Sequence, residues 1–146
     1  MIAYLDSSVL ARAYLADEAG HDQTTSLLAN REIGLVTGTW TRIEVSGALV
    51  RAARAGRGDQ AGLLALLDGD LGTDGPVAVV EADQKKIEER ALHLLRDYAI
   101  RAMDAWHLAV AVLVLPSLLE PGEEAGFATR DEAQASVATT LGLSAI

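Results

Sequence analysis

Apolar positions along this chain fall into two spacings. Short runs at Ile2–Leu5, Gly34–Thr37, Val77–Val80 and Gly126–Ala128 are too brief for helices and are bounded by turn or polar residues, which predicts buried strands. Leu143–Ile146 is a candidate last strand. Between them, apolar residues recur every three to four positions. Val9, Leu10, Ala13 and Tyr14 predict a helix capped by Ser7 or Ser8 and broken at Gly20. Further helices are predicted over His21–Asn30, Thr41–Ala55 (stopped by Gly56 and Gly58), Ala61–Leu67, Asp83–Tyr98, Ala102–Leu115 (ended by Pro116) and Asp131–Leu141, with a Gly/Asp-rich loop over Asp68–Pro76. Strands alternating with helices predict a parallel sheet covered on both faces.

The composition agrees with that architecture. Half of the 146 residues are hydrophobic but only 4% are aromatic, so the core must be built from Ala, Val, Leu and Ile. The length suits one domain with a real core. There is no cysteine, which removes disulfides, thiolate nucleophiles and Cys-bound zinc. The apolar run Leu108–Leu115 is far short of the ~20 residues that cross a bilayer, and Asp6 interrupts the apolar start. The expectation is therefore a soluble, cytoplasmic domain. A net charge of −9 argues against nucleic-acid binding by bulk electrostatics and favours a strongly basic partner.

Four acids stand where an apolar segment ends or a helix begins. Asp6 follows Met1–Leu5, Glu44 lies near the start of a long helix, Asp104 opens the most apolar helix, and Asp131 follows Gly126–Arg130. In parallel α/β sheets ligands gather beyond the carboxyl ends of the strands, where Asp6 and Asp131 fall. Carboxylates there are costly to bury unless neutralised, so several at one rim point to a divalent cation. Each also has a plainer reading: Asp6 and Asp131 as helix caps, Glu44 and Asp104 as first-turn acids favoured by the helix dipole.

Asp6-Ser-Ser, Thr41-Arg-Ile-Glu44, Met103-Asp-Ala-Trp-His-Leu108 and Phe127-Ala-Thr-Arg-Asp131, in this order across the chain, resemble the motifs of PIN-domain ribonucleases. The resemblance is closest to the VapC-type toxins of bacterial toxin–antitoxin pairs. It implies a three-layer αβα fold with a central, mostly parallel sheet of four or five short strands, filling 1–146 as one domain. It also implies a metal-dependent endoribonuclease in which Asp6, Glu44, Asp104 and Asp131 hold Mg²⁺ or Mn²⁺, assisted by Ser8 and Thr129. The implied partners are an RNA substrate, a second copy in a homodimer, and a basic antitoxin that reaches the acidic pocket. One departure is the Leu115–Ala125 connection, which is longer than usual for the family and carries two prolines and three glutamates. The chemistry suits the residue types: phosphodiester hydrolysis needs an activated water and stabilised oxygen charge, and hard divalent ions on carboxylates supply both.

Arg51 lies close to two turns after Glu44 on the same helix face, and Arg54 continues the stripe. With Arg42, Arg101 and Arg130 these could form a cationic rim for an RNA backbone, or solvated faces paired to nearby acids. His107, one turn after Asp104, reads as a structural histidine that could also orient a carboxylate. His21 and His93 read as solvated, and Trp40 and Trp106 as packing anchors. Other strand-end aspartate enzymes fit less well. A haloacid-dehalogenase phosphatase needs a second Asp where Ser8 stands, and a phospho-receiver domain needs a late lysine, whereas Lys85 and Lys86 lie mid-chain. Neither P-loop nor dinucleotide spacing occurs. The rival of a different class is a PIN fold used for interaction, with little catalysis and a basic partner as its main ligand.

Overall fold

The computed structural model describes residues 1–146. Its elements are β1 (Ile2–Leu5), α1 (Ser7–Arg12), α2 (His21–Ala29), β2 (Gly34–Gly38), α3 (Thr39–Arg54), α4 (Gln60–Asp70), β3 (Val77–Val80), α5 (Gln84–Asp97), α6 (Ala102–Leu118), β4 (Ala125–Ala128), α7 (Glu132–Thr140) and β5 (Ser144–Ala145). All strand pairs are parallel, in the order β3-β2-β1-β4-β5.

Alternation along the strands splits the core in two. Tyr4, Val36 and Phe127 face one side and pack with α5, α6 and α7. Ala3, Leu5, Leu35, Val77 and Ala128 face the other, against residues of α1, α3 and α4 such as Leu10, Leu49 and Leu67. The sheet is thus the middle of three layers. No helix is long and apolar enough to cross a membrane.

Several sequence-predicted boundaries move, each for a local reason. The first helix does not reach Gly20; it ends at Arg12, whose guanidinium bonds Ala19 O at 2.9 Å, while Asp17 and Glu18 turn out to pair with Arg57. Its cap is Asp6 rather than Ser7 or Ser8: Asp6 Oδ2 accepts the Ser8 N–H at 3.2 Å. The helix predicted to stop at Leu67 runs on to Asp70, so the loop begins later; Asp59 caps it at Gly62 N, and Asp70 takes the Tyr14 hydroxyl at 2.9 Å. Pro116 does not end α6 but sits inside its last turn: it gives up its own N–H bond, yet the helix closes beyond it with Leu119 N on Leu115 O at 3.2 Å. The α3 stop behaves as predicted at Gly56, which takes φ 77° while Arg57 N bonds Ala52 O at 3.0 Å.

The chain runs from β1 to β2 and β3 on one side, then crosses back through α6 to β4 on the other. Neighbouring strands that diverge in this way leave a crevice beyond their carboxyl ends. Asp6 follows β1 there, and Thr129 to Asp131 follow β4, with Asp6 N bonded to Ala128 O at 3.0 Å.

Candidate active site

Asp6, Glu44 and Asp104 line one cavity of about 420 Å³, together with Ser7, Ser8, Arg101 and His107. Asp6 and Asp104 are buried and Glu44 is half-buried. The placement of Glu44 begins in β2. Thr37 Oγ1 donates to Leu5 O at 2.8 Å and lies 2.6 Å from Thr41 Oγ1, which ties the first turn of α3 to the end of β1. Gly38 makes the approach possible, because a Cβ there would lie 2.7 Å from the Tyr4 hydroxyl and 2.8 Å from the Trp106 ring.

The carboxylates are held by different partners. Asp6 Oδ2 accepts Ser8 Oγ at 2.6 Å, and Thr129 Oγ1 lies 3.4 Å away. Thr129 is better placed to donate to Gln134 Oε1 at 2.5 Å, and Gln134 in turn reaches Asp104 O at 3.3 Å. Asp104 Oδ2 takes Arg101 Nε at 2.8 Å. The same guanidinium gives Nη2 to Asp131 Oδ2 at 2.9 Å. These acids keep the Arg101 proton tightly held and raise its pKa, with the Asp104 hydrogen bond the largest cause.

Asp131 realises its plainer reading, capping α7 by accepting Gln134 N at 3.0 Å with Oδ1. It does not line the cavity, and its carboxylate meets that of Asp104 through the shared Arg101 guanidinium. The long connection after α6 therefore does not keep Asp131 from the rim.

Two residues carry more of the site than the sequence indicated. Ser7 donates to Glu44 Oε2 at 2.5 Å. His107 is buried to 1% exposure and places Nε2 2.7 Å from the same oxygen and 3.5 Å from Asp6 Oδ1. Burial pushes the Glu44 carboxyl up, but the hydrogen bonds from His107 and Ser7 outweigh it and hold the carboxyl below its ordinary range. His107 was hidden inside an apolar run; its one legible signal was the single-turn spacing from Asp104. His21, expected to be solvated, is half-buried with Nδ1 2.8 Å from Arg12 O. Trp106 is buried as a packing anchor, whereas Trp40 is 44% exposed.

The donors suit a hard divalent ion, being carboxylate oxygens on one cavity wall. Their spacing does not, as the side chains stand: no three Asp, Glu or His groups come together closely enough to hold a metal. Asp104 and Asp131 are turned onto Arg101, and Glu44 onto His107 and Ser7.

The predicted arginine rim separates into unlike members. Arg101 is committed to the acids. Arg42 stands 3.9 Å from Asp68, and Arg130 reaches Gln23 at 3.1 Å. Arg51 lines a groove of about 360 Å³ between α1 and α3, and Ser8 borders both this groove and the acidic cavity. Arg12 and Arg57, absent from the sequence-predicted set, line the same groove. Arg54 is exposed and makes no ion pair.

A parallel sheet with acids gathered at its topological switch point defines a known class, and the PIN domain family model matches residues 3–140. The chain belongs to the PIN domain family. Among solved structures it is similar to VapBC2 of Rickettsia felis bound to a promoter DNA fragment, with TM-score 0.62 and 12% identity over 100% of this chain and 98% of that one. It is also similar to VapBC-1 of nontypeable Haemophilus influenzae, with TM-score 0.59 and 17% identity over 100% and 97%. A third is VapC20 of Mycobacterium tuberculosis, a toxin that cleaves the sarcin–ricin loop, with TM-score 0.54 and 24% identity over 74% and 79%. No curated protein matches the chain by sequence.

Proposed function

We propose that this chain is the toxin of a toxin–antitoxin pair and acts as an endoribonuclease dependent on Mg²⁺ or Mn²⁺. The observation that carries the proposal is the convergence of Asp6, Glu44 and Asp104 on one cavity beyond the carboxyl ends of parallel strands. Membership of the PIN family and likeness to structures of toxin–antitoxin proteins support it. So does the likeness to a toxin that cuts RNA.

In this reading Asp6, Glu44 and Asp104 hold the ion, with Asp131 at the rim as a further acid. A divalent ion bound there supplies an activated water and stabilises charge on the phosphate oxygens. Ser8 fixes the Asp6 rotamer through its hydroxyl, and Ser7 with His107 fixes Glu44. Arg101 stands at the mouth, 74% exposed, where it can pass from carboxylates to a substrate phosphate. Arg51, in the groove beyond Ser8, is placed for a neighbouring phosphate. A homodimer, a cytoplasmic location and a basic antitoxin whose arginine or lysine enters the acidic cavity complete the proposal.

The test is cleavage of total cellular RNA by purified, metal-stripped protein with and without added Mg²⁺ or Mn²⁺. Discrete products that need the ion support the reading, and intact RNA under both conditions sinks it. One observation favours the interaction-module alternative: Asp104 and Asp131 already pair with an arginine, Arg101, so this rim accepts a guanidinium of the kind a basic partner would offer. That alternative requires tight antitoxin binding alongside intact RNA in the same assay.

A further inference from the structure

His107 is too well connected for a packing residue. A buried imidazole needs partners for both nitrogens, and backbone carbonyls usually suffice. Here Nδ1 lies 2.9 Å from the Tyr4 hydroxyl, itself fully buried. That hydroxyl accepts the Gly38 N–H at 3.0 Å, which leaves its own proton for Nδ1. The neutral ring then carries its proton on Nε2, which has Glu44 Oε2 at 2.7 Å as its nearer acceptor and Ser7 Oγ at 2.9 Å. Edge-on packing against Trp106, with ring centres 5.2 Å apart, keeps the ring plane from turning.

The chain Gly38 N–H to Tyr4 to His107 to Glu44 thus crosses β2, β1, α6 and α3 and ends on a single carboxylate oxygen. Ser7 Oγ donates to that same oxygen. The other oxygen, Glu44 Oε1, takes no hydrogen bond. A Phe or Leu would fill the volume of the His107 ring without burying two ring nitrogens, so packing alone does not account for the arrangement.

We propose that His107 is a positioning residue whose Nε2–H pins Glu44 Oε2 and leaves Oε1 as the free ligand oxygen, with Tyr4 fixing the imidazole tautomer. The inference rests on the metal-dependent reading above. Partners that orient ligands in this way are worth 10–100-fold in metal affinity or activity.

The experiment compares wild type, His107→Gln and His107→Asn, each checked for folding by thermal melting. A Gln amide reaches to where Nε2 stands and can still donate to Glu44; an Asn amide reaches only to the position of Nδ1. Mn²⁺ binding to the metal-stripped protein is read by calorimetry, and RNA cleavage is read in parallel. The expected result is a 10–100-fold loss of Mn²⁺ affinity in His107→Asn and substantial recovery in His107→Gln, whatever the order of their melting temperatures. Wild-type affinity in a folded His107→Asn overturns the proposal, as does an equal loss in both variants that tracks stability. ¹⁵N NMR of the metal-free wild-type imidazole needs neither variant nor ion: an Nε2–H ring, changed by Tyr4→Phe, is expected, and an Nδ1–H ring overturns it. Wild-type protein that neither binds Mn²⁺ nor cuts RNA defeats the function itself, an outcome distinct from all of these.

Discussion

Arg101 and Asp104 form an ion pair one helical turn apart, with Nε 2.8 Å from Oδ2, at the mouth of the acidic cavity. The arginine is 74% exposed and the carboxylate 11%, so the pair neutralises a shielded charge with an exposed one. Arg101 also reaches Asp131 across 30 residues of chain and so spans the rim. A cation from solution must compete with it for Asp104.

Removal of Arg101 is therefore expected to act in two directions. Arg101→Ala should lower thermal stability in EDTA by up to about 1 kcal/mol, the scale of an exposed pair. The same variant should bind Mn²⁺ more tightly than wild type, and Mn²⁺ should raise its melting temperature by a larger step. Melts with and without the ion measure both, and an unchanged Mn²⁺ affinity would show that the guanidinium does not compete for Asp104.

Acid sensitivity is expected at Glu44. Its folded pKa lies below the ordinary 4.5, so the folded protein binds fewer protons there than the unfolded chain. The stabilisation is complete above the ordinary value and is lost as pH falls through the folded value. Urea unfolding of wild type and Glu44→Gln should therefore converge as pH drops below the ordinary glutamate range. Parallel curves across that window would show that His107 and Ser7 do not stabilise the charged form.

Gly38→Ala is expected to destabilise by about 1–3 kcal/mol, the usual cost of overpacking. The new Cβ would meet the Tyr4 hydroxyl and Trp106 ring within 2.8 Å, both in the buried core. Chemical denaturation measures the loss. A neutral effect would mean that β2 and α3 can shift without cost, and Glu44 with them.

The arginines of α3 are expected to differ. Arg51 lines the groove that meets the cavity at Ser8, whereas Arg54 does not. Arg51→Ala should reduce the slope of log RNA affinity against log salt by roughly 0.7, the share of one phosphate on a single strand. Arg54→Ala should leave the slope nearly unchanged. Fluorescence anisotropy across a salt series separates them, and equal slopes in both variants would remove Arg51 from the RNA path.

Much of the fold was legible because strand runs and helical spacing are local patterns. Asp6 could be found because it ends an apolar run, and Asp104 because it opens one. What escaped depends on packing. His107 sits among apolar neighbours that mask it, and its partners Tyr4 and Ser7 lie 103 and 100 residues away. Arg101 reads as a rim cation in sequence; that it binds Asp104 and Asp131 together follows only from how α7 lies against α6 and β4. Helix ends moved where a side chain reached beyond its own element, as Arg12 does to Ala19. The sequence offers Ser7, Ser8 and Asp6 all as caps for α1, and the choice falls on Asp6 because one of its carboxylate oxygens serves both the Ser8 backbone N–H and the Ser8 hydroxyl.

Asp104→Asn is the most direct test of the central claim. The amide keeps the shape of the carboxylate at a buried position, so the fold should persist, but it has no charge to hold a divalent ion. The expected result is loss of Mg²⁺- or Mn²⁺-dependent RNA cleavage by a variant that melts cooperatively near the wild-type temperature. Cleavage at the wild-type rate by the same well-folded variant would contradict it.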